Sequence, residues 1–343
     1  MIIDLRSDTV TKPSKGMLEA MMQAEVGDDV FDEDKTVKKL EQQLAEMFGK
    51  PRALFFPSGS MANQTALKLH TQPGEQVICD KTAHIYNYEA GGASFNSGIS
   101  CKLLEGSRGM FTAEQVVEAI NPDAFYYAKT TLVEVENTAN RGGGSCWDLE
   151  ELKKIRAVCD SHGLGYHLDG ARIWNALVEK PYTTKDYGKL FDTISVCLSK
   201  GLGCPIGSVL IGNEDIMKDA VRVRKVFGGN MRQVGYLAAA GLYALEHNID
   251  RLKEDHRRAK EIGVVLKDLP FIKSVEPVET NIIIFELSNY MNEVDFLNEL
   301  SKSNIKIIGM GSGKLRIVTH LDYTEDMHSK FLQVLSQQVT RVI

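Results

Sequence analysis

Between residues 36 and 212 the sequence alternates short apolar runs with longer amphipathic stretches. The stretches 36–48 and 148–162 place their apolar residues on one helical face and end at Gly49 and Gly163, which predicts two helices. Short apolar runs that predict strands cover residues 53–56, 76–79, 99–104, 131–136, 164–168, 193–198 and 206–212. Strands joined through helices run parallel, because each crossover returns the chain to the edge that it left. We therefore expect an α/β fold with a mostly parallel sheet flanked by helices.

The pattern changes in the last quarter of the chain. Runs at 281–287, 305–308 and 315–318 predict strands, with a helix over 293–300 between them. This segment predicts a small α+β domain. We expect an N-terminal arm over residues 1–15, a large α/β domain over 16–250 and the small C-terminal domain over 251–343.

Composition excludes several classes of protein. The net charge of −6 and the pI near 5.8 argue against a nucleic-acid or anionic-membrane partner. No apolar run approaches the roughly 20 residues of a membrane helix, and the N-terminus lacks a signal-peptide pattern. The six cysteines show no C-x-x-C spacing, which favours buried thiols in a reducing compartment over disulfides or a metal site. We expect a cytoplasmic enzyme. No G-x-G-x-x-G motif follows a predicted strand and no P-loop motif is present, so the sequence does not support nucleotide binding.

A lysine and an aspartate follow two of the predicted strands. Lys200 lies where the run 193–198 meets a glycine-rich loop, and Asp169 follows the run 164–168. A buried ammonium must be paired or lose its proton, which is how desolvated lysines become Schiff-base nucleophiles. The alternative is a lysine that reaches the surface from a strand end. Together the two residues suit pyridoxal phosphate, whose aldehyde needs a lysine and whose pyridine nitrogen needs a carboxylate.

A serine- and glycine-rich turn joins the run 53–56 to a helix. Ser58, Gly59 and Ser60 lie where free backbone N–H groups and the helix dipole favour an anion, as a cofactor phosphate requires. The alternative is a turn that only caps the helix.

Other polar residues also follow or interrupt predicted strands. His84 and Asn137 lie just beyond strand ends, where open α/β sheets place ligands. The alternative for His84 is a position at the surface, or one in the core where its hydrogen bonds are satisfied. Arg316 interrupts an apolar strand, where it could bind a carboxylate in a bidentate manner or pair with a structural acid.

Eight motifs together resemble the L-threonine aldolase family, pyridoxal-phosphate enzymes of the aspartate-aminotransferase fold, known as fold type I. They are residues 7–11 (SDTVT), 27–30 (GDDV), 57–63 (PSGSMAN), 83–84 with 89–92 (AH, EAGG), 136–138 (ENT), 168–173 (LDGARI), 199–203 with 205–208 (SKGLG, PIGS) and 228–233 (GGNMRQ). They occur in collinear order over nearly the whole chain.

The resemblance implies a role for each matching position. Lys200 would hold the cofactor, Asp169 would pair with the pyridine nitrogen, and His84 would stack on the ring. The phosphate would lie against Ser58, Gly59 and Ser60, Arg232 would come from a neighbouring subunit, and Asn137 would also contact the cofactor. Arg172 would lie near the phenolic oxygen or the substrate, and Ser7 and Arg316 would bind the substrate carboxylate. The family implies a homo-oligomer, usually a dimer of dimers, with active sites at dimer interfaces.

Two positions depart from the family pattern. Tyr126 and Ala139 stand where members often have histidines, and the first change removes an imidazole associated with the substrate's β-hydroxyl. From its position in the family pattern, Tyr126 would contact the substrate. The resemblance implies retro-aldol cleavage of L-threonine or L-allo-threonine to glycine and acetaldehyde, with His84 as the first candidate for the base. Three alternatives stay open: β-elimination on the same fold, a non-catalytic cofactor-binding homologue, and a structural α/β protein without cofactor.

Overall fold

The computed structural model describes residues 1–289 and 291–342. Its strands are β1 (Ile3–Asp4), β2 (Arg52–Phe56), β3 (Gln76–Asp80), β4 (Ser100–Leu104), β5 (Thr130–Glu136), β6 (Gly165–Gly170), β7 (Thr193–Cys197), β8 (Ser208–Gly212), β9 (Ile272–Val275), β10 (Ile282–Leu287), β11 (Ile305–Lys306), β12 (Ile308–Gly311) and β13 (Lys314–Val318). Its helices are α1 (Lys15–Met22), α2 (Lys35–Phe48), α3 (Gly59–His70), α4 (His84–Asn87), α5 (Ala113–Ala119), α6 (Leu149–His162), α7 (Ile173–Glu179), α8 (Thr184–Leu190), α9 (Glu214–Met217), α10 (Ala220–Val226), α11 (Gly235–His247), α12 (Leu252–Lys267), α13 (Glu293–Lys302) and α14 (Glu325–Val342).

The central sheet has seven strands in the order β2-β8-β7-β6-β5-β3-β4. The pairs from β7 through β4 are parallel, whereas β8 is antiparallel to both β2 and β7. The expected mostly parallel sheet is confirmed. The β7–β8 connection is short, and Lys200 lies in it, at the carboxyl edge of the parallel strands.

The two faces of this sheet differ in chemistry. On one face, helices α2, α6 and α11 pack against apolar side chains such as Ile194 and Val196, forming the main core. On the other face α3 lies across β5, β6 and β7. There the strands present polar side chains at alternate positions: Glu134, His167, Asp169, Thr193 and Ser195, all buried. A polar layer beneath a helix is costly unless its groups are hydrogen-bonded, so it indicates a site.

The small domain is an antiparallel sheet, β12-β13-β10-β9, covered by α12, α13 and α14. The N-terminal segment joins it, since β1 pairs with β11 in parallel and Ile3 and Leu5 are fully buried in the same core as Phe285 and Ile317. The first residues of the expected arm are thus anchored on the small domain. Within residues 1–289 and 291–342, no helix combines the length and the apolar content needed to cross a membrane.

Candidate active site

The residues expected at strand ends come together at the carboxyl edge of the large sheet. Asp169, the last residue but one of β6, lies beside its register partner Glu136 of β5, and Lys200 follows β7. His84 begins α4 after β3, and its backbone N–H donates to Glu136 Oε2 over 2.9 Å. The edge therefore places an amine, two carboxyl groups and an imidazole around one cleft, as open α/β sheets do for their ligands.

Asp169 is held in one orientation by two donors. Its Oδ2 accepts from Asn63 Nδ2 over 2.8 Å and its Oδ1 from the Ala171 backbone N–H over 3.0 Å. The residue is buried. Each carboxylate oxygen keeps an unused lone pair, so Asp169 can still accept a hydrogen bond from a pyridinium N–H.

Asn63 uses its whole hydrogen-bonding capacity. Its Nδ2 donates to Glu89 Oε1 over 3.0 Å as well as to Asp169. Its Oδ1 accepts from Ser195 Oγ over 2.6 Å and from His167 Nε2 over 3.2 Å. Two donors and two acceptor sites are all that a side-chain amide has, so the position and orientation of Asn63 are fully determined.

A chain of hydrogen-bonded groups runs into Asn63 from the polar layer. Burial lowers the pKa of His167 to about 3 and that of His70 to about 4, so both imidazoles are neutral. His167 Nε2 lies 3.2 Å from Asn63 Oδ1, and its Nδ1 lies 2.9 Å from Thr193 Oγ1 and 3.2 Å from the Thr193 carbonyl oxygen. Thr193 Oγ1 lies 2.8 Å from His70 Nε2. The chain thus connects the buried polar groups beneath α3 to the amide that holds Asp169 and Glu89.

His84 is oriented by Glu89. Its Nδ1 lies 2.9 Å from Glu89 Oε1, whose carboxylate is buried. Burial alone would lower the pKa of His84, but the hydrogen bond to Glu89 and the charges of Asp169, Glu89 and Glu136 raise it above its usual value. In the neutral imidazole Nδ1–H donates to Glu89, which leaves Nε2 as an acceptor facing the cleft.

Lys200 lies beside the turn expected to hold a phosphate. Its Nζ is 3.3 Å from Cys197 Sγ, and that sulfur also packs against Gly59, where a Cβ would come within 2.7 Å of it. Ser58 caps α3 by accepting from the Met61 N–H over 3.2 Å. The first N–H groups of a helix have no acceptor within it, so the turn at Gly59 and Ser60 presents them close to the lysine.

Arg172 and Arg316 occupy different electrostatic settings. Arg172 forms a buried bidentate ion pair with Asp8, at 2.8 and 2.6 Å. Although burial opposes it, the positive charges of Arg172 and Lys200 lower the pKa of Asp8 to about 2. Arg316 donates to Asn140 Oδ1 over 2.7 Å and to the Arg6 carbonyl over 3.1 Å, and its Nε is buried without a partner.

No carboxylate of the described residues lies within ion-pair distance of Arg316. Burial and the nearby charges of Arg172 and Arg141 lower its pKa to about 10. The structural-acid alternative for Arg316 is therefore not realised, and a free carboxylate ligand is favoured. Ser7 follows Arg6, whose carbonyl accepts from Arg316, and the Ser7 hydroxyl accepts from the Thr9 N–H over 3.2 Å.

Three expected site residues do not join the cluster. Tyr126 precedes β5, at the opposite end of that strand from Glu136, is 70% exposed and packs on Phe125 and Tyr127. The side chain of Asn137 is buried against Tyr187 and Trp147, so a cofactor contact from it is not supported. Arg232 pairs with Asp28 of its own chain over 2.8 Å and is largely exposed.

Seven further residues of the site are not predicted by the sequence patterns: Asp8, Asn63, Tyr88, Glu89, Glu136, Arg141 and Cys197. Asn63 and Glu89 fall inside the family-like motifs, but nothing local distinguishes them from capping or surface residues. Asn63, Gln64 and Thr65 are three consecutive buried polar residues of α3, so the sequence does not single out Asn63 among them.

A cavity of about 400 Å³ opens between the two domains at this cluster. It is lined by His84, Tyr88, Asn140, Arg141, Ile308, Gly309, Met310 and Arg316. It is large enough for a small amino acid, whereas a larger cavity near β2 contains none of the site residues.

These residues fit pyridoxal phosphate. Lys200 would hold the aldehyde, the oriented carboxylate of Asp169 would accept from the pyridine nitrogen, and the imidazole of His84 would stack on the ring. At Gly59 a Cβ would come within 2.7 Å of Cys197 Sγ, so the phosphate turn needs a glycine where it passes the sulfur. Fold and site together define a pyridoxal-phosphate-dependent enzyme of fold type I.

Comparison with known proteins narrows this class. The model of the β-eliminating lyase family matches residues 4–289. The low-specificity L-threonine aldolase of Escherichia coli K12 is 41% identical over 326 residues, 95% of this chain and 96% of that protein. Low-specificity L-threonine aldolase 1 of Arabidopsis thaliana is 38% identical over 334 residues, 95% and 93% of the two chains. The chain belongs to the L-threonine aldolases of the β-eliminating lyase family.

A solved structure supports the fold. The threonine aldolase of Leishmania major superposes with a TM-score of 0.85 at 22% identity, covering 98% of this chain and 99% of the other. The two chains therefore share the complete architecture, including the small domain.

Proposed function

We propose that this protein cleaves L-threonine and L-allo-threonine to glycine and acetaldehyde with pyridoxal phosphate as cofactor. The similarity to L-threonine aldolases over 95% of the chain carries the proposal. Arg316 supports a binding position for the substrate carboxylate, because its Nε is buried without a partner and no carboxylate of the described residues pairs with it. The reaction breaks the Cα–Cβ bond, removes the β-hydroxyl proton and adds a proton at Cα.

The chain's residues divide this task. When bound, the cofactor supplies a ring that accepts the electron pair left at Cα. Lys200 holds the cofactor aldehyde covalently and Asp169 accepts the pyridine N–H, kept in place by Asn63. Gly59 and Ser60 bind the phosphate through backbone N–H groups. Arg316, with Ser7 beside it, orients the substrate through its carboxylate.

His84 is the base in this proposal. With Nδ1–H donated to Glu89, its Nε2 faces the cavity and can take the β-hydroxyl proton. Nε2 lies at the edge of the imidazole ring, so it can take the proton while the face of the ring stacks on the cofactor. One orientation of His84 therefore serves both roles. A deprotonated β-oxygen then forms the aldehyde as the Cα–Cβ bond breaks.

We propose further that the protein is cytoplasmic and that it forms a homo-oligomer whose subunits share active sites. Phe95 is 90% exposed and Val226 81% exposed, and both line a cavity of about 600 Å³ with Ser60 at the phosphate turn. Exposed apolar side chains beside a site favour coverage by a second subunit. A partner could also bring Arg232 to the phosphate. Because the proposed products are glycine and acetaldehyde, the proposed role is in the breakdown of threonine and the supply of glycine.

The test of the reaction uses purified protein supplied with pyridoxal phosphate. We expect a visible absorption band that Lys200→Ala abolishes and that Lys153→Ala, a surface control, retains. L-Threonine should then yield glycine and acetaldehyde in equal amounts. A band without acetaldehyde, with ammonia and a 2-oxo acid released from other amino acids, would favour β-elimination. A protein that binds no cofactor would contradict the whole proposal.

The test of shared sites is complementation between inactive subunits. Lys200→Ala and Arg232→Ala proteins, mixed and allowed to exchange subunits, should regain activity because hybrid interfaces contain one intact site. No recovery under conditions that exchange wild-type subunits would place Arg232 outside the partner's site.

A further inference from the structure

The substrate cavity contains more positive charge than one amino-acid carboxylate neutralises. Its lining includes two arginines, Arg141 and Arg316, and no aspartate or glutamate. Neither arginine has a carboxylate within ion-pair distance among the described residues. A single α-carboxylate bound at Arg316 would leave Arg141 uncompensated. The nearby Arg172 does not change this balance, since Asp8 neutralises it.

Arg141 is connected to His84 through Tyr88. Its guanidinium carbon is 5.4 Å from the centroid of the Tyr88 ring, and that ring lies 5.6 Å from the ring of His84. All three residues line the same cavity, so a substrate side chain that extends past His84 and Tyr88 would reach Arg141. The contact with Tyr88 fixes the guanidinium by a cation–π interaction and leaves its hydrogen-bond donors free.

Several acids lie near this cavity without forming an ion pair with Arg141 among the described contacts. Glu89 Oε1 lies 2.9 Å from His84 Nδ1, and Glu136 Oε1 accepts from the Asn140 N–H over 2.8 Å. Glu293 packs its carboxylate against Gly309, and Glu276 lines a neighbouring cavity of about 220 Å³ that also includes Arg141 and Lys314. Neither acid forms an ion pair with Arg141 among the described contacts. Arg141 is partly exposed, so it is hydrated in the free protein and available to a ligand.

From this arrangement we propose that the cavity accepts β-hydroxy-α-amino acids with a carboxylate in the side chain, which Arg141 binds while Arg316 binds the α-carboxylate. The inference rests on the proposed aldolase function and names a substrate class for the same site. For 3-hydroxyaspartate the Cα–Cβ bond breaks and the hydroxyl loses its proton. The hydroxyl oxygen becomes the aldehyde oxygen of glyoxylate, Cα gains a proton to give glycine, and no oxidant or reductant is needed.

The experiment compares two substrates of nearly equal size. L-3-Hydroxyaspartate and L-3-hydroxyasparagine differ in one charge, so their ratio of kcat/KM isolates the side-chain carboxylate. In the holoenzyme we expect the acid to be preferred, and Arg141→Gln to lower the ratio at least tenfold. Arg141→Lys should lower it less, because charge is kept but the planar fork is lost. Arg222→Gln removes one charge from an exposed position on α10 and should leave the ratio within twofold.

A binding measurement supplies a second readout. L-Aspartate and L-asparagine lack the β-hydroxyl and should compete with L-threonine without being cleaved. Wild-type protein should bind L-aspartate more tightly, with a preference that falls with added salt and disappears in Arg141→Gln. An unchanged acid-to-amide ratio in folded Arg141→Gln, in either assay, would overturn the inference. Failure to cleave L-threonine as well would instead contradict the proposed function.

Discussion

Asn63 donates hydrogen bonds from one nitrogen to Asp169, over 2.8 Å, and to Glu89, over 3.0 Å. Asp169 is the expected partner of the pyridine nitrogen, and Glu89 orients His84. A single amide therefore joins the group that tunes the cofactor to the group that positions the proposed base. It lies in a helix that begins at the phosphate turn, so three parts of the site depend on α3.

Replacement of Asn63 should weaken cofactor binding as well as folding. Asn63→Ala removes the donor to both carboxylates and the acceptor of His167 and Ser195. We expect a loss of about 2–4 kcal/mol in the free energy of unfolding, since several buried groups lose their partners. We also expect at least a tenfold rise in the cofactor dissociation constant, measured by titration of the visible band.

Gln64→Ala is the matched control for this change. Gln64 neighbours Asn63 and donates to Glu89 over 2.6 Å but has no contact with Asp169. The Gln64→Ala substitution should disturb His84 and leave the affinity for the cofactor close to that of the wild type. Equal losses of cofactor affinity in the two variants would show that the hydrogen bond from Asn63 to Asp169 contributes no more to cofactor binding than the bond from Gln64 to Glu89.

The pH dependence of activity should report the Glu89–His84 contact. The negative charges around His84 raise its pKa despite burial, and a base must be deprotonated, so kcat/KM should fall as the pH drops through that pKa. Glu89→Gln removes one of those charges, which should lower the pKa of His84 and move the acidic limb of the profile to lower pH. Profiles of kcat/KM at constant ionic strength measure the shift.

Glu105→Gln provides the comparison for that profile. Glu105 is exposed and pairs with Lys81 at the surface, so its loss should leave the acidic limb in place. An acidic limb that stays fixed or moves upward in Glu89→Gln would mean that His84 is not the group titrating in kcat/KM.

Gly59 and Cys197 should show a steric coupling. A Cβ at Gly59 would come within 2.7 Å of Cys197 Sγ, so Gly59→Ala forces the turn away from its position and should weaken cofactor binding at least tenfold. Cys197→Ala removes the sulfur and opens the space, so the double variant should recover part of the affinity. Additive losses in this double-mutant cycle would indicate that the methyl group blocks the phosphate itself.

Stability should depend on pH through Glu41 of α2. Its Oε1 accepts from the Phe55 N–H over 2.7 Å, and burial raises its pKa from 4.5 to about 7. The folded state thus holds this proton more tightly than the unfolded chain does. The stabilisation that protonated Glu41 contributes is fully present below pH 4.5 and is lost as the pH rises toward 7.

Glu41→Gln stays neutral and retains an acceptor for Phe55. Its stability relative to wild type should increase between pH 4.5 and 7 and level off above. The increase is at most about 3.5 kcal/mol, from about 1.4 kcal/mol per pKa unit over about 2.5 units. Thermal unfolding of both proteins across this range measures it. A stability difference that is flat with pH would show that Glu41 is ionised at no cost in the folded protein.

Local patterns predicted most of the architecture. The apolar runs anticipated the strands of the large sheet to within a few residues. Thr112 and Gln115 have the sequence pattern of a capping box, and they form one at the start of α5. Asp148 and Glu151 have the same spacing but form no box: Asp148 caps the Glu150 N–H, while Glu151 accepts from the Ala113 N–H of another helix. The two-residue β1 was missed because its pairing partner, β11, lies at the far end of the chain.

For the site, the sequence by itself determined which groups stand at strand ends, since Lys200, Asp169 and His84 follow directly from the order of apolar runs and turns. Only the tertiary structure decided which of them act together. Asn63, Glu89 and Asp8 acquire their roles from residues that are distant in sequence. Tyr126 loses its expected role because the entry and exit of one strand lie on opposite edges of the sheet. Hydrogen bonds and ion pairs depend on distances of about 3 Å, and separation along the chain does not set such distances.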